Sequence, residues 1–168
     1  MTQKLYRINF QSPYGDMLAI SDSTHLYLLE FAARKNLLKE LAKLQTTFKT
    51  EIVLGKTAVL ESIQEELQKY FSGKLQKFKT PIKLLGSEFQ KEVWQALQQI
   101  PYGQTCSYQE LAQKMNRPKA VRALANATGA NQLAIIVPCH RVIRANGDLG
   151  GYGGGIERKK KLLELEAY

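Results

Sequence analysis

The stretch from Ser72 to Gly86, SGKLQKFKTPIKLLG, constrains the fold of this chain more than any other. It is polar and lysine-rich, and Gly73, Pro81 and Gly86 punctuate it, so neither a helical nor a strand period runs through it. On either side the apolar patterning differs in kind. A chain of 168 residues is long enough for one compact domain or two small ones, and this interruption predicts two: an α/β unit over residues 1–80 and a mainly α unit over 81–168.

In the first half, LYRINF, MLAIS and HLYLLEF are short apolar runs separated by SPYG and SDST, the pattern of a small, mainly antiparallel strand meander. Helices are expected over 36–44 and 58–71. In the second of these, Leu60, Ile63, Leu67, Tyr70 and Phe71 fall at helical spacing before Gly73 ends it. The second half is helical. Ser87 and Gln90 have capping-box spacing ahead of Phe89, Val93, Trp94, Leu97 and Ile100, and Ser107 with Glu110 repeats the box for a helix through Lys114. Pro118 fits the first turn of a further helix, from Lys119 to about Thr128. The pair reads as a helix-turn-helix. LAIIVPC then reads as a buried strand, Asn146-Gly147-Asp148 as a hairpin turn that completes a wing, and residues 156–165 as a charged helix ending at Glu166.

No stretch approaches the roughly 18 continuous apolar residues of a membrane span, and the start MTQKLYRINF lacks the order of a signal peptide. The expectation is a cytoplasmic protein with reduced thiols. With Cys106, Cys139, His25 and His140 as its whole set of cysteines and histidines, and no CxxC, the chain meets no zinc template, so no metal and no cofactor are expected. The formal charge of +9 suits an anionic partner. It concentrates locally: Lys114, Arg117, Lys119, Arg122, Arg141 and Arg144 face the single acid Glu110 between Gln109 and Arg144. Ala120, Ala123, Ala125 and Ala127 make the second helix of the pair thin, which suits either close packing on a neighbour or entry into a narrow groove.

The reactive stretch is Pro138-Cys139-His140-Arg141. Proline cannot donate to a sheet ladder, so Cys139 sits where the chain leaves the core. A thiol becomes a nucleophile by losing its proton, which a nearby imidazole or cation favours, and His140 and Arg141 supply both. Adjacent residues on an extended chain point apart, so either the chain turns at Pro138 or a water links the two side chains. The acids available to orient the imidazole are Asp148, Glu157, Glu164 and Glu166, and spacing leaves the choice open. Two rival readings stand beside a thiol-based transfer: a Cys-His peptidase or acyl transferase, and a winged-helix DNA binder with no use for Cys139.

Ile136-Val137-Pro138-Cys139-His140-Arg141-Val142 resembles the active-site motif of the O6-alkylguanine-DNA alkyltransferases, also called methylated-DNA–protein-cysteine methyltransferases. FQKEVWQALQQIPYGQTCSYQELA, RPKAVRALANATGAN and GGYGGGIERKKKLLELE extend the resemblance in order and spacing over roughly residues 86–166. It implies a ribonuclease-H-like first domain and a winged helix-turn-helix second domain. The implied activity is a single, irreversible transfer of the alkyl group from O6-alkylguanine in duplex DNA to Cys139, with O4-alkylthymine as a second candidate substrate. Under the same resemblance His140 takes the thiol proton through a water, Glu166 orients His140, and Asn131 ties the helix segment to the strand that carries Cys139. Tyr108 donates toward guanine N3 and crowds the phosphate so that the nucleotide rotates out of the stack, where O6 becomes reachable. Arg122 fills the gap.

The remaining implied DNA contacts are Gln90, Gln109, Arg117, Ala120, Val121 and Ala145, the alanines permitting minor-groove approach. Val142, Tyr152 and Gly153 line the pocket. Three departures from the family pattern matter. Gly153 stands where several members have serine, which as a hypothesis widens the pocket for larger alkyl groups. Arg117 replaces a common asparagine, exchanging a helix cap for a phosphate contact. The first half lacks the cysteine and histidine set of the zinc-holding members. The implied partner is double-stranded DNA bound by a monomer, with assembly along DNA left open.

Overall fold

A computed structural model describes residues 3–167, and the chain divides into two compact units, one up to Lys83 and one from Leu84. In the first unit, β1 (Leu5–Ser12), β2 (Gly15–Ser21) and β3 (Leu26–Phe31) form the expected antiparallel meander. The β1–β2 turn is tight: Ser12 Oγ donates to Gly15 O at 2.6 Å and accepts from Tyr14 N–H at 3.2 Å. Every residue of β3 is buried, because α1 (Leu37–Phe48) and α2 (Ala58–Phe71) supply Leu44, Val59, Leu60, Ile63, Leu67 and Tyr70 to the core of this unit.

Sequence reading missed β4 (Ile52–Leu54), which joins β1 in parallel and gives the sheet order β3-β2-β1-β4. Pro81, Ile82 and Lys83 go with this unit because they bond the open edge of β3. Leu26 N–H donates to Pro81 O at 2.8 Å, and Lys83 N–H donates to Leu26 O at 3.0 Å. Proline tolerates an edge position, having no N–H to leave unpaired. Glu66 on α2 anchors the approach by accepting the Lys79 and Thr80 backbone N–H groups at 2.6 and 2.9 Å.

The second unit is built on α3 (Glu88–Gln98), whose start is a full capping box: Gln90 N–H donates to Ser87 Oγ and Ser87 N–H to Gln90 Oε1. Its buried face carries Val93, Trp94 and Leu97, and the indole N–H donates to Ala127 O at 2.8 Å. A Cβ at Gly86 would lie 2.6 Å from the Trp94 ring, so the chain reaches α3 through a position that only glycine fits. Next come β5 (Cys106–Ser107), α4 (Tyr108–Lys114), α5 (Val121–Gly129), a 3-10 turn (Cys139–Arg141), β6 (Val142–Ile143) and α6 (Ile156–Glu166). Between α4 and α5, Asn116 takes a left-handed conformation that asparagine tolerates, and Arg117 N–H closes the helix end on Ala112 O.

Three expectations need correction. First, α5 begins at Val121 rather than Lys119. Pro118 and Lys119 form a turn closed by Ala120 N–H on Arg117 O at 2.9 Å, and no side chain caps the helix. Second, the apolar run before Cys139 is a buried turn and not a strand. Ile135 has a φ of 73°, Val137 N–H returns to Leu133 O, and the Asn131 amide satisfies Leu133 N–H and Val137 O. With its polar groups met locally, the run needs no neighbouring strand. Third, the wing is not a hairpin. Arg144 N–H and Gly147 N–H close a turn around Asn146, but β6 pairs in parallel with β5, and residues 149–155 form no strand.

Candidate active site

The position of Cys139 follows from Pro138. The proline has φ −82° and ψ 63°, the geometry of an inverse γ-turn, and Cys139 N–H accordingly donates to Val137 O at 2.8 Å. The chain therefore turns at Pro138, and the 3-10 turn that follows sends Cys139 to a half-buried position and His140 and Arg141 inward. From the end of α5, the Asn131 side chain spans this turn. Its Nδ2 donates to Val137 O at 2.8 Å and to the Cys139 sulfur at 3.2 Å, while Oδ1 accepts from Leu133 N–H at 2.9 Å. An amide N–H aimed at sulfur favours its anionic form.

His140 is fully buried, and its Nε2 lies 2.7 Å from Glu166 Oε2. Of the four acids open to it from sequence, the fold brings Glu166 to the imidazole. Arg141 grips the same carboxylate through Nε at 2.7 Å and Nη2 at 3.1 Å, and donates Nη1 to Ile100 O at 2.7 Å. As a candidate cation for the thiol, Arg141 is thus corrected: its guanidinium is bound to Glu166 and to the end of α3. Burial pushes the His140 imidazolium pKa down, Glu166 pulls it back up, and Arg141 and Lys159 add to the push down, leaving it lowered on balance. A neutral imidazole bonded to a carboxylate carries its proton on the bonded nitrogen, so the lone pair is on Nδ1. Nδ1 is buried and has no hydrogen-bond partner among the described residues. Such an imidazole can accept a proton.

Tyr108 opens α4 and is half-buried. Burial and the nearby Cys139 raise its pKa, against a smaller lowering by Arg144, so its hydroxyl keeps a proton to donate. On α5, Arg122 and Ala123 are exposed, Ala120 and Val121 are half-buried, and Leu124, Ala127 and Thr128 turn inward. This leaves a thin face with one long cation. Gln109 and Ala145 are exposed, while Gln90 has its carbonyl engaged in the α3 cap. Arg117 is not a free phosphate ligand. It pairs with Glu92 at 2.9 Å and lies over the Phe89 ring, both groups being about half exposed. Val142 is buried, Tyr152 half-buried and Gly153 exposed.

Sequence reasoning missed Lys159, one of the basic residues in Arg158–Lys161. It is buried, and its Nζ donates to the carbonyls of Val142, Leu149 and Gly151. Helical spacing held the signal: Lys159, Leu162 and Glu166 share the buried face of α6. Among the described residues no group of histidines, cysteines and acids could hold a metal ion.

Comparison with known proteins gives the same division of the chain. Residues 5–84 match the family model described as the 6-O-methylguanine DNA methyltransferase ribonuclease-like domain, and residues 88–168 match its DNA-binding domain. A methylated-DNA–protein-cysteine methyltransferase of Mycolicibacterium paratuberculosis is 56% identical over 102 residues, a match that spans 61% of this chain and 62% of that protein. One from Methanosarcina acetivorans is 40% identical over 96% of this chain and 98% of its own length. The crystal structure of Mycobacterium tuberculosis OGT in complex with DNA superposes with a TM-score of 0.83 at 38% identity, covering 96% of this chain and 92% of that one. With both halves matched in order and a relative aligned over nearly its full length, the chain belongs to the 6-O-methylguanine DNA methyltransferase family.

Proposed function

We propose that this protein repairs duplex DNA by moving the alkyl group of O6-alkylguanine onto Cys139. The carrying observation is the Asn131 amide aimed at the half-buried Cys139 sulfur, with the next residue, His140, buried against Glu166. The thiol proton passes through a water to His140 Nδ1, whose imidazolium Glu166 then stabilises. The sulfur attacks the alkyl carbon, the carbon–O6 bond breaks, and the electron pair leaves with the guanine. Tyr108 donates to the base as that charge develops, and the guanine finally takes up one proton. A thioether offers no return path, so each chain acts once.

The thin face of α5 enters the minor groove, and Arg122 replaces the flipped nucleotide in the stack. Gln109, Ala120, Val121 and Ala145 flank that face, and Val142, Tyr152 and Gly153 receive the base. The protein works as a monomer wherever the DNA is, in the cytoplasm of a bacterium or the nucleus of a eukaryote. Among the described residues no helix is long and apolar enough to cross a membrane.

Intact-protein mass spectrometry after incubation with excess duplex carrying O6-methylguanine tests the proposal. One methyl group per chain, mapped to Cys139 and never exceeded, is expected. An unchanged mass with lesion binding intact would replace it with recognition alone.

A further inference from the structure

The segment that ends the first unit carries charge of one sign. Residues 69–83, from the last turn of α2 to the β3 edge, hold Lys69, Lys74, Lys77, Lys79 and Lys83 and no acid. All five lysines are exposed, and among the described residues no ion pair reaches them. The segment is nevertheless fixed to the unit by its inward side chains. The Phe78 ring lies 5.6 Å from that of Tyr70, Thr80 Oγ1 meets Ser62 Oγ at 2.7 Å, and Ile82 bridges in parallel to Leu26. Glu66, whose carboxylate could neutralise a lysine, instead accepts the Lys79 and Thr80 N–H groups.

From Lys77 to Lys83 exposure alternates without a break. Lys77, Lys79, Pro81 and Lys83 are exposed, while Phe78, Thr80 and Ile82 between them are covered at least in part. That is the period of an extended chain, which advances about 3.3 Å per residue, so three cations stand on one face of a strap about 20 Å long. Lysine and proline on an outer face also guard a sheet edge. Guarding accounts for Pro81 and Lys83, which flank the residue that meets β3, but Lys77 and Lys79 lie before that bridge.

We propose that this strap is a second DNA-contact surface, carried by the first unit: Lys77, Lys79 and Lys83 bind backbone phosphates of duplex DNA. The partner rests on the repair reading above. A duplex presents one negative charge per about 1.7 Å of its axis, so a row of this length meets several phosphates. With lysines and a proline outward and no amide or aromatic group among them, the strap holds phosphate without reading bases. Because its inward face is already packed, the backbone is ordered before DNA arrives, and binding restricts little beyond the lysine side chains.

The test is the salt dependence of binding to an undamaged duplex, followed by fluorescence anisotropy from about 50 to 200 mM salt. Lys77→Gln, Lys79→Gln and Lys83→Gln together should lower the slope of log K against log salt by about 2 to 3, since each phosphate contact contributes about 0.9. Across that range the wild-type affinity should fall about 40-fold further than that of the triple variant. Arginine at the three positions should restore the slope, and reaction with free O6-benzylguanine should be the same in all three proteins. An equal slope in the glutamine variant and wild type would overturn the proposal. Lys35→Gln, Lys39→Gln and Lys56→Gln remove the same charge from other exposed positions of the unit, and an equal loss of slope there would overturn the strap in favour of net charge. Should the glutamine variant fail to fold by circular dichroism, acetylation of wild-type lysines decides. Duplex DNA should protect Lys77, Lys79 and Lys83 in peptide maps, and equal labelling with and without DNA refutes the contact. A wild type that shows the slope and the protection yet transfers no methyl group would sink the repair reading and leave the strap standing.

Discussion

Replacing Glu166 with glutamine changes one oxygen for one nitrogen and tests the buried relay directly. In the native site the carboxylate accepts from His140 Nε2 and from Arg141 Nε and Nη2, and its side chain is 1% exposed. Glutamine keeps one acceptor, turns the other into a donor that faces at least one donor of Arg141 or His140, and leaves the buried Arg141 guanidinium without its counter-charge. Breaking a buried pair from one side costs about 3–5 kcal/mol, of which the retained acceptor recovers about 1 kcal/mol. The expected loss is roughly 3 kcal/mol. With a urea slope of about 1.5 kcal/mol/M for a unit of this size, the unfolding midpoint should fall by about 2 M.

Trp94 is the single tryptophan and is buried in the second unit, so its fluorescence follows that unit alone. The substitution also removes the group that raises the His140 pKa, so transfer to Cys139 should slow about 100-fold or more. A midpoint within about 0.3 M of wild type, well inside the roughly 2 M shift expected for a broken buried pair, would refute the reasoning, because it would mean Arg141 does not depend on Glu166.

Asn131→Ala should destabilise the second unit by about 2 kcal/mol, since it strands the buried Leu133 N–H and takes one of two donors from Val137 O, which keeps Cys139 N–H, and it should slow transfer as well. The Trp94 urea transition and single-turnover assay measure both effects, and an unaffected rate would separate the turn from the chemistry. Arg122→Ala, on the exposed face of α5, should leave the melting temperature unchanged while slowing repair of duplex DNA far more than reaction with free O6-benzylguanine; equal slowing on both substrates would refute its role in the base stack. In the first unit, burial pushes the Glu30 carboxyl up from 4.5 to about 8, Glu40 adds to the rise and Arg34, at 3.3 Å, opposes it. The unfolded chain then releases a proton that the folded chain retains, so stability falls as pH rises from about 4.5 to about 8 and levels off beyond. Glu30→Gln should flatten that decline in urea titrations followed by circular dichroism, and an unchanged slope would show that another group sets it.

Local signals that concern a few adjacent residues were legible. The bounds of α2, the Ser87–Gln90 box and the extent of α6 could be read because capping and helical spacing act within one or two turns. β4 was not, since three residues carry too little alternation and the strand exists by its pairing with β1. LAIIVPC misled for a related reason: apolar content predicts burial, but whether a buried run extends or coils depends on what meets its backbone, and here the Asn131 side chain does so. The resemblance pointed at His140 and Glu166, and the fold sets them 2.7 Å apart. Lys159 stayed hidden because a run of basic residues looks solvated until the helix facing is known.

The inward face of α6 has a bearing on chemical safety inside a cell. Glu166 and Lys159 hold His140 and Val142, on either side of Arg141 in the segment that begins at Cys139, and both reach them from a single helix. Before that helix docks, or whenever it comes loose, the imidazole loses its orienting acid and Val142 loses the ammonium that holds its carbonyl. Folding intermediates and damaged chains would then carry an ordinary thiol instead of an activated one. The protein would fail silent, sparing unrelated electrophiles, disulfides and neighbouring chains from a nucleophile that can be used only once.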